Sequence, residues 1–192
     1  MPLILASASP RRSELLRNAA IAFTVEPAHV PEQPFANEKP LAYAQRLARD
    51  KARAVYARNP DRAVLGADTM VVMDEHLLEK PRDERDAVRM LRLLSGRTHQ
   101  VITGVCLVTA DFERIEAEIT QVVFGPLSEA EIAYYVHTGE PMDKAGAYAI
   151  QGIASRWVER IEGCYFNVVG LPLPRVYRML RAAEAATEAL LL

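Results

Sequence analysis

Ser7, Ser9, Arg11 and Arg12 flank Pro10 close to the start of the chain. A helix opening at such a proline would leave backbone N–H groups and the positive end of its dipole facing outward, and two guanidiniums beside them would clamp phosphate oxygens. A capped surface helix with two solvated arginines accounts for the same residues, because the pattern alone is not specific. Asp68 lies with Thr69 in the middle of an apolar run from Ala63 to Met73. Burying an unpaired carboxylate costs several kcal/mol, so cations or a metal must accompany it, or it closes a turn on its own backbone. With cations, Asp68 would bind a divalent ion or take a proton from water.

Lys51, Lys80 and Lys144 are scattered cations. Each alone is an ordinary surface residue, but together with Arg11 and Arg12 they would offset the charge of a triphosphate. Glu32 and Glu38 sit in a proline-rich segment where solubility explains both, and nothing local separates them. Gln151 lies in the glycine-bounded stretch from Gly146 to Gly152, and its amide offers both a donor and an acceptor to the edge of a base. A structural turn or strand explains the same stretch. His29, His76, His99 and His137 lack metal-ligand spacing, Ser13 is not in a nucleophile elbow, and no GxxxxGK[ST] loop occurs.

The elements that must position these residues follow from periodicity. Leu3 to Ala6 has the length of a buried strand, and Ser9 with Pro10 predicts a cap and first turn of a helix through Leu16. Thr24 to Pro40 reads as extended strand or loop. The segment 41–58 has helical spacing at Leu41, Ala44, Leu47, Ala48, Val55 and Tyr56, and carries Lys51. The spacing predicts a strand over 63–73, broken at Gly66 to Thr69, with Asp74 and Glu75 as a turn beyond it. A helix follows over 83–94, stopping at Ser95 and Gly96, then a strand over 98–109 with a hairpin partner over 115–123. Ser128 and Glu131 have the spacing of a capping box opening a helix that bears Tyr134 and Tyr135 and ends near Gly139. A strand at 157–161 and a last helix over 174–189 complete an α/β or α+β pattern.

The chain has 192 residues, room for one sizeable domain, and neither repeats nor low-complexity linkers divide it, so residues 1–192 read as a single domain. A net charge of −2 gives no basic field for long nucleic acid, so an anionic ligand must be held locally. Two cysteines, Cys106 and Cys164, are too few for a disulfide framework and suit a reducing compartment. No basic leader precedes the first apolar residues, and no apolar stretch reaches the roughly 18 residues of a membrane span. A cytoplasmic protein without membrane association is expected.

Six ordered stretches together resemble the Maf family of nucleoside triphosphate pyrophosphatases: LASASPRR near the N-terminus, RLARDKA from Arg46, GADT from Gly66, KPRD from Lys80, MLRLLSGRTHQVITGV from Met90, and DKAGAYAIQG from Asp143. The likeness runs from Leu5 to Leu173. It implies an α/β fold related to the inosine triphosphate pyrophosphatases, an elongated mixed β-sheet with flanking helices in two lobes around a cleft. It also implies hydrolysis of a nucleoside triphosphate to the monophosphate and pyrophosphate with Mg2+ or Mn2+, in a homodimer. By this resemblance Asp68 corresponds to the proton acceptor, and Arg11, Thr69 and Gln151 to specificity positions. Ser7, Arg12, Glu32, Lys51 and Lys80 match other site positions. DKAGAYAIQG looks like the branch preferring dTTP and UTP. Glu79 departs from the pattern, which has glycine before Lys-Pro, and so bears on the loop holding Lys80.

The expected mechanism has Glu32 and Asp68 holding a divalent ion while Arg11, Arg12, Lys51 and Lys80 neutralise phosphate charge. A carboxylate among cations is a weak base toward bulk water but adequate toward water acidified by a metal. Such chemistry suits clearance of noncanonical nucleotides and restraint of cell division. A non-enzymatic nucleotide-binding regulator of cell division is the alternative; Asp68 weighs against it, since a pure binder gains little from a carboxylate near phosphates without metal. A nucleic-acid-binding module is suggested only by the arginines, and the acidic balance disfavours it.

Overall fold

The computed structural model describes residues 2–74 and 76–189, which form a mixed α/β fold built on a seven-stranded sheet. The strand order is β2 (Phe23–Val25), β1 (Leu3–Leu5), β3 (Ala63–Met73), β5 (Thr98–Val108), β6 (Glu113–Phe124), β7 (Val158–Glu162), with β4 (His76–Leu78) paired to β3. The chain divides into two compact units.

The first unit comprises residues 2–68, 103–118 and 170–189. Strand β1 (Leu3–Leu5) is buried throughout and pairs in parallel with β2 (Phe23–Val25) and with the start of β3 (Ala63–Met73), with Leu3 opposite both Phe23 and Ala63. Parallel neighbours need crossovers, supplied by α1 (Pro10–Asn18) and α2 (Pro40–Tyr56). Helix α2 presents Ala44, Ala48 and Ala52 at four-residue intervals, all fully buried. Against this small ridge the sheet presents glycines. A Cβ on Gly66 would overlap the Ala48 carbonyl oxygen and lie 2.7 Å from the Ala52 nitrogen; one on Gly104 would overlap the Ala44 carbonyl oxygen. Backbone therefore packs on backbone, beside a core of Ile4, Val55, Val64, Cys106 and Val108. Helix α6 (Leu173–Ala189) buries Val176, Met179 and Ala183.

The second unit comprises residues 69–102 and 119–169, of which Glu75 lies outside the described residues. The end of β3 pairs antiparallel with β4 (His76–Leu78), and the end of β6 (Glu113–Phe124) pairs antiparallel with β7 (Val158–Glu162). Helix α3 (Glu84–Leu94) is capped by Asp83, whose side chain accepts from the Asp86 N–H, and buries Ala87, Met90, Leu91 and Leu94. Helix α4 (Glu129–His137) carries the expected capping box of Ser128 and Glu131. Hydrogen bonds from the Ser128 side chain and backbone and from Trp157 Nε1 hold the Glu131 carboxyl down at about 2. Of the two tyrosines on α4, Tyr135 is buried and Tyr134 is 56% exposed.

Several local expectations change. Ser9 precedes α1 without a side-chain cap; its N–H instead donates to Ser7 Oγ at 3.2 Å. Leu41 is 40% exposed, and the aromatic Tyr43 takes the buried position in the first turn of α2. Strand β3 runs unbroken through Gly66 to Thr69. The expected hairpin, by contrast, is kept: strand β5 (Thr98–Val108) and β6 are adjacent, and Thr109 N–H closes their turn on the Phe112 carbonyl. Of the loop and strand left open for residues 146–152, the structure has the loop, a 3-10 turn at Ala145–Ala147 followed by a tight turn at 150–151; a short helix α5 (Tyr165–Val169) has no counterpart in the sequence reading. Among the described residues no helix is long and apolar enough to cross a membrane.

Candidate active site

Gly66 and Asp68 are two residues apart on β3 and so project to the same face. Because Gly66 lets α2 lie against that face, Lys51, one residue before Ala52, comes within reach of Asp68. Lys51 Nζ lies 2.6 Å from Asp68 Oδ1 and 2.6 Å from Glu32 Oε1. The lysine is buried, Asp68 nearly so, and Glu32 half-exposed on the loop after β2. One ammonium thus gathers two carboxylates.

The structure separates Glu32 from Glu38. Arg46, on the first half of α2, forms a two-point pair with Glu38, Nε to Oε1 and NH2 to Oε2, both at 2.7 Å. The same NH2 donates to the Gln33 carbonyl at 2.9 Å, Phe35 N–H donates to Glu38 Oε2 at 2.9 Å, and the guanidinium stacks 3.9 Å from the Phe35 ring centroid. Arg46 holds the Glu38 carboxyl below the usual carboxylate range. Glu38 is therefore part of a clamp that fixes the loop beside Glu32, while Glu32 faces Lys51.

At the start of α1, Arg12 turns inward rather than toward solvent. Its Nε donates to the Gly170 carbonyl at 2.8 Å, and NH1 donates to Ser7 Oγ at 2.9 Å and to the Ala67 carbonyl at 3.0 Å. Burial lowers the Arg12 pKa, against the attraction of Asp68 and Glu32 that supports its charge. Ser7 is buried with it, and Arg11 is half-buried. Ser7, Arg12, Glu32, Lys51 and Asp68 are thereby joined in the first unit by direct contact or close charge.

Thr69, Lys80 and Gln151 belong to the second unit. Thr69 follows Asp68 on β3, so its side chain points to the opposite face. Lys80 is exposed on the loop after β4. That loop is tied on one side by Gly146 N–H to the Glu79 carbonyl at 3.1 Å, and on the other by Arg82 N–H to Asp86 Oδ2 at 3.2 Å. Glu79 is not among the residues of positive φ, so its backbone does not demand the glycine of the family pattern. Lys144 is drawn into structure, with Nζ 2.5 Å from Asp143 Oδ1 and donating to the Glu140 carbonyl at 2.9 Å. Gln151 is exposed at the tip of a turn closed by Gly152 N–H to the Ala149 carbonyl at 3.0 Å.

Arg46, Asp86, Glu140 and Tyr135 make side-chain contacts with the segments that carry Glu32, Lys80 and Gln151, and the sequence reading gave none of them a site role. Arg46 stood inside the RLARDKA stretch, but its clamp partners are up to 13 residues away in an irregular segment. Among the described residues no group of three or more His, Cys, Asp or Glu side chains is placed to hold a metal. The Glu32 and Asp68 pair is nonetheless a hard oxygen donor set converging on one cation. Mg2+ is commonly held by one or two carboxylates together with substrate phosphates and waters, and the pair fits that demand.

A family model described as Maf-like protein matches residues 2–183. A dTTP/UTP pyrophosphatase of Koribacter versatilis is 67% identical over 183 residues, covering 95% of each chain. Those of Geobacter sulfurreducens and Symbiobacterium thermophilum are each 54% identical, covering 95% and 93% of this chain and 97% and 92% of their own. Among solved structures, the Staphylococcus aureus Ham1 protein aligns over 65% of this chain and 72% of its own, with a TM-score of 0.40 and 10% identity.

Proposed function

The chain belongs to the Maf family, and from that premise we propose that it is a nucleoside triphosphate pyrophosphatase that hydrolyses dTTP and UTP to the monophosphate and pyrophosphate. The observation that carries the reading is Lys51 Nζ in contact with both Glu32 and Asp68, beside the buried Arg12. Lys51 holds Asp68 Oδ1 and so presents the other carboxylate oxygen to a water. As that water attacks the α-phosphorus, Asp68 accepts its proton, the α–β anhydride breaks, and pyrophosphate leaves. Ser7 binds the substrate, Arg11, Arg12, Lys51 and Lys80 offset phosphate charge, and Arg11, Thr69 and Gln151 select the base. Glu32 and Asp68 would hold Mg2+ or Mn2+, which when bound supplies electrostatic stabilisation and acidifies water.

The high identity to relatives named dTTP/UTP pyrophosphatase supports the substrate pair. Free Cys106 and Cys164 suit the reducing cytoplasm, where we place a homodimer of single-domain chains. Pyrophosphate release from dTTP and UTP in the presence of Mg2+ or Mn2+ tests the activity directly; no release with either ion overturns it. Asp68→Asn should abolish turnover while leaving most nucleotide binding, and near-normal turnover would remove Asp68 from its assigned role.

A further inference from the structure

The turn that carries Gln151 is gripped at both ends by one side-chain pair, the buried Tyr135 and the half-buried Glu140. Tyr135, on α4, donates its hydroxyl to Glu140 Oε1 at 2.9 Å, and the same hydroxyl accepts from Ala149 N–H at 3.3 Å. Glu140 Oε1 in turn accepts from Ile153 N–H at 3.0 Å, with Oε2 at 3.3 Å from the same nitrogen. Ala149 opens the turn and Ile153 lies just past Gly152, which closes it, so Ile150 and Gln151 are its two central residues. A Cβ on Gly152 would overlap the Glu140 carboxylate, which shows how closely that side chain fills the space under the turn. Tyr135 is fully buried, packed edge-on to Trp157 at 5.3 Å, and burial with the neighbouring carboxylate raises its pKa, so the hydroxyl stays a donor.

A glutamine amide is nearly symmetric in shape: rotated by half a turn, it exchanges its donor and acceptor. Uracil and thymine present a donor at N3 beside an acceptor at O4, and cytosine presents the reverse. Gln151 can therefore meet either pattern by turning its own amide while the backbone stays still. What the turn sets is whether that amide reaches the base edge at all.

We propose that Glu140 and Tyr135 are positioning residues for pyrimidine binding, holding the Ala149–Gly152 turn where the Gln151 amide reaches the N3 and position-4 edge of the base. The inference rests on Gln151 contacting the base. Neither Glu140 nor Tyr135 touches substrate; both act through the backbone of the turn. Glu140→Gln keeps an oxygen for the Tyr135 and Ile153 contacts, whereas Glu140→Ala removes both.

The experiment measures kcat and KM for UTP and CTP in the wild type and in Gln151→Ala, Glu140→Ala, Glu140→Gln and Tyr135→Phe. Glu140→Ala and Tyr135→Phe should each raise KM for UTP and for CTP by about tenfold with kcat within about threefold, while Glu140→Gln keeps both KM values within about threefold of the wild type. Gln151→Ala should raise KM at least as far. If Gln151→Ala raises KM but Glu140→Ala and Tyr135→Phe do not, the positioning role is overturned; losses confined to kcat overturn it too. A Gln151→Ala variant with unchanged KM overturns the base contact itself. Tyr135→Phe, which keeps the buried ring, decides the matter if Glu140→Ala does not fold.

Discussion

Lys51 Nζ reaches Asp68 Oδ1 at 2.6 Å because Gly66, two residues before Asp68 on the same face of β3, has no side chain to hold α2 away. The pair is a consequence of a close helix-to-strand approach. Interfering with that approach should therefore change chemistry as well as stability.

Gly66→Ala would drive a methyl into the Ala48 carbonyl oxygen, a backbone atom that cannot move without α2. The overpacking should cost about 3 kcal/mol, read as a lower urea midpoint, with turnover falling more than stability requires because Lys51 is displaced from Asp68. Wild-type stability and activity would show that α2 can retreat without consequence.

Lys51→Met keeps the buried stem and removes the ammonium that Glu32 and Asp68 share. Turnover on dTTP should fall about a hundredfold, comparable to losing one preorganised electrostatic group. Lys51→Arg should not restore it, since a planar fork does not place a single nitrogen between two carboxylates. Recovery of more than half the activity by arginine would argue for charge alone.

Arg46→Ala dismantles the clamp on Glu38, Gln33 and Phe35. The loop beside Glu32 should then be cut faster in limited proteolysis, and the Mg2+ concentration for half-maximal turnover should rise about tenfold through loss of a preorganised ligand. An unchanged cleavage pattern would show that the loop is held by other contacts.

Burial pushes the His99 pKa down from 6.5 to about 4, and its Nε2 lies 2.7 Å from the Tyr148 hydroxyl. As pH falls below 6.5 the unfolded chain takes up a proton that the folded one refuses. The stability associated with neutral His99 is complete above pH 6.5 and is lost progressively toward pH 4, by roughly 3 kcal/mol in all. Urea midpoints should drop between pH 7.5 and pH 5 in the wild type, and less steeply in His99→Gln. Equal slopes would show that His99 does not contribute to the acid sensitivity.

Much of the fold was legible because its signals are local. The apolar run from Ala63 to Met73 has the bounds of β3, the Ser128 and Glu131 spacing is the capping box of α4, and the stripe of Ala87, Met90, Leu91 and Leu94 is the buried face of α3. These depend on periods of two and 3.6 residues and on hydrogen bonds within one turn. Helix α5 was not read because a five-residue helix has too few turns to establish a period.

The sequence by itself determined which residues carry charge and hydrogen-bonding capacity, and the ordered stretches that mark the family. Only the tertiary structure decided their pairings. Glu32 and Glu38 are indistinguishable as neighbours in a proline-rich loop, yet one meets Lys51 and the other Arg46. Arg11 and Arg12 are adjacent in the chain, yet Arg12 is buried on carbonyls of Ala67 and Gly170, the latter 158 residues away. Glu140 grips Ile153 across a loop of irregular backbone. The physical reason is common to all three: a side chain's periodicity sets the face it occupies, but its partner is set by where the backbone of another segment comes to lie, and the close packing of α2 on Gly66 is one such placement.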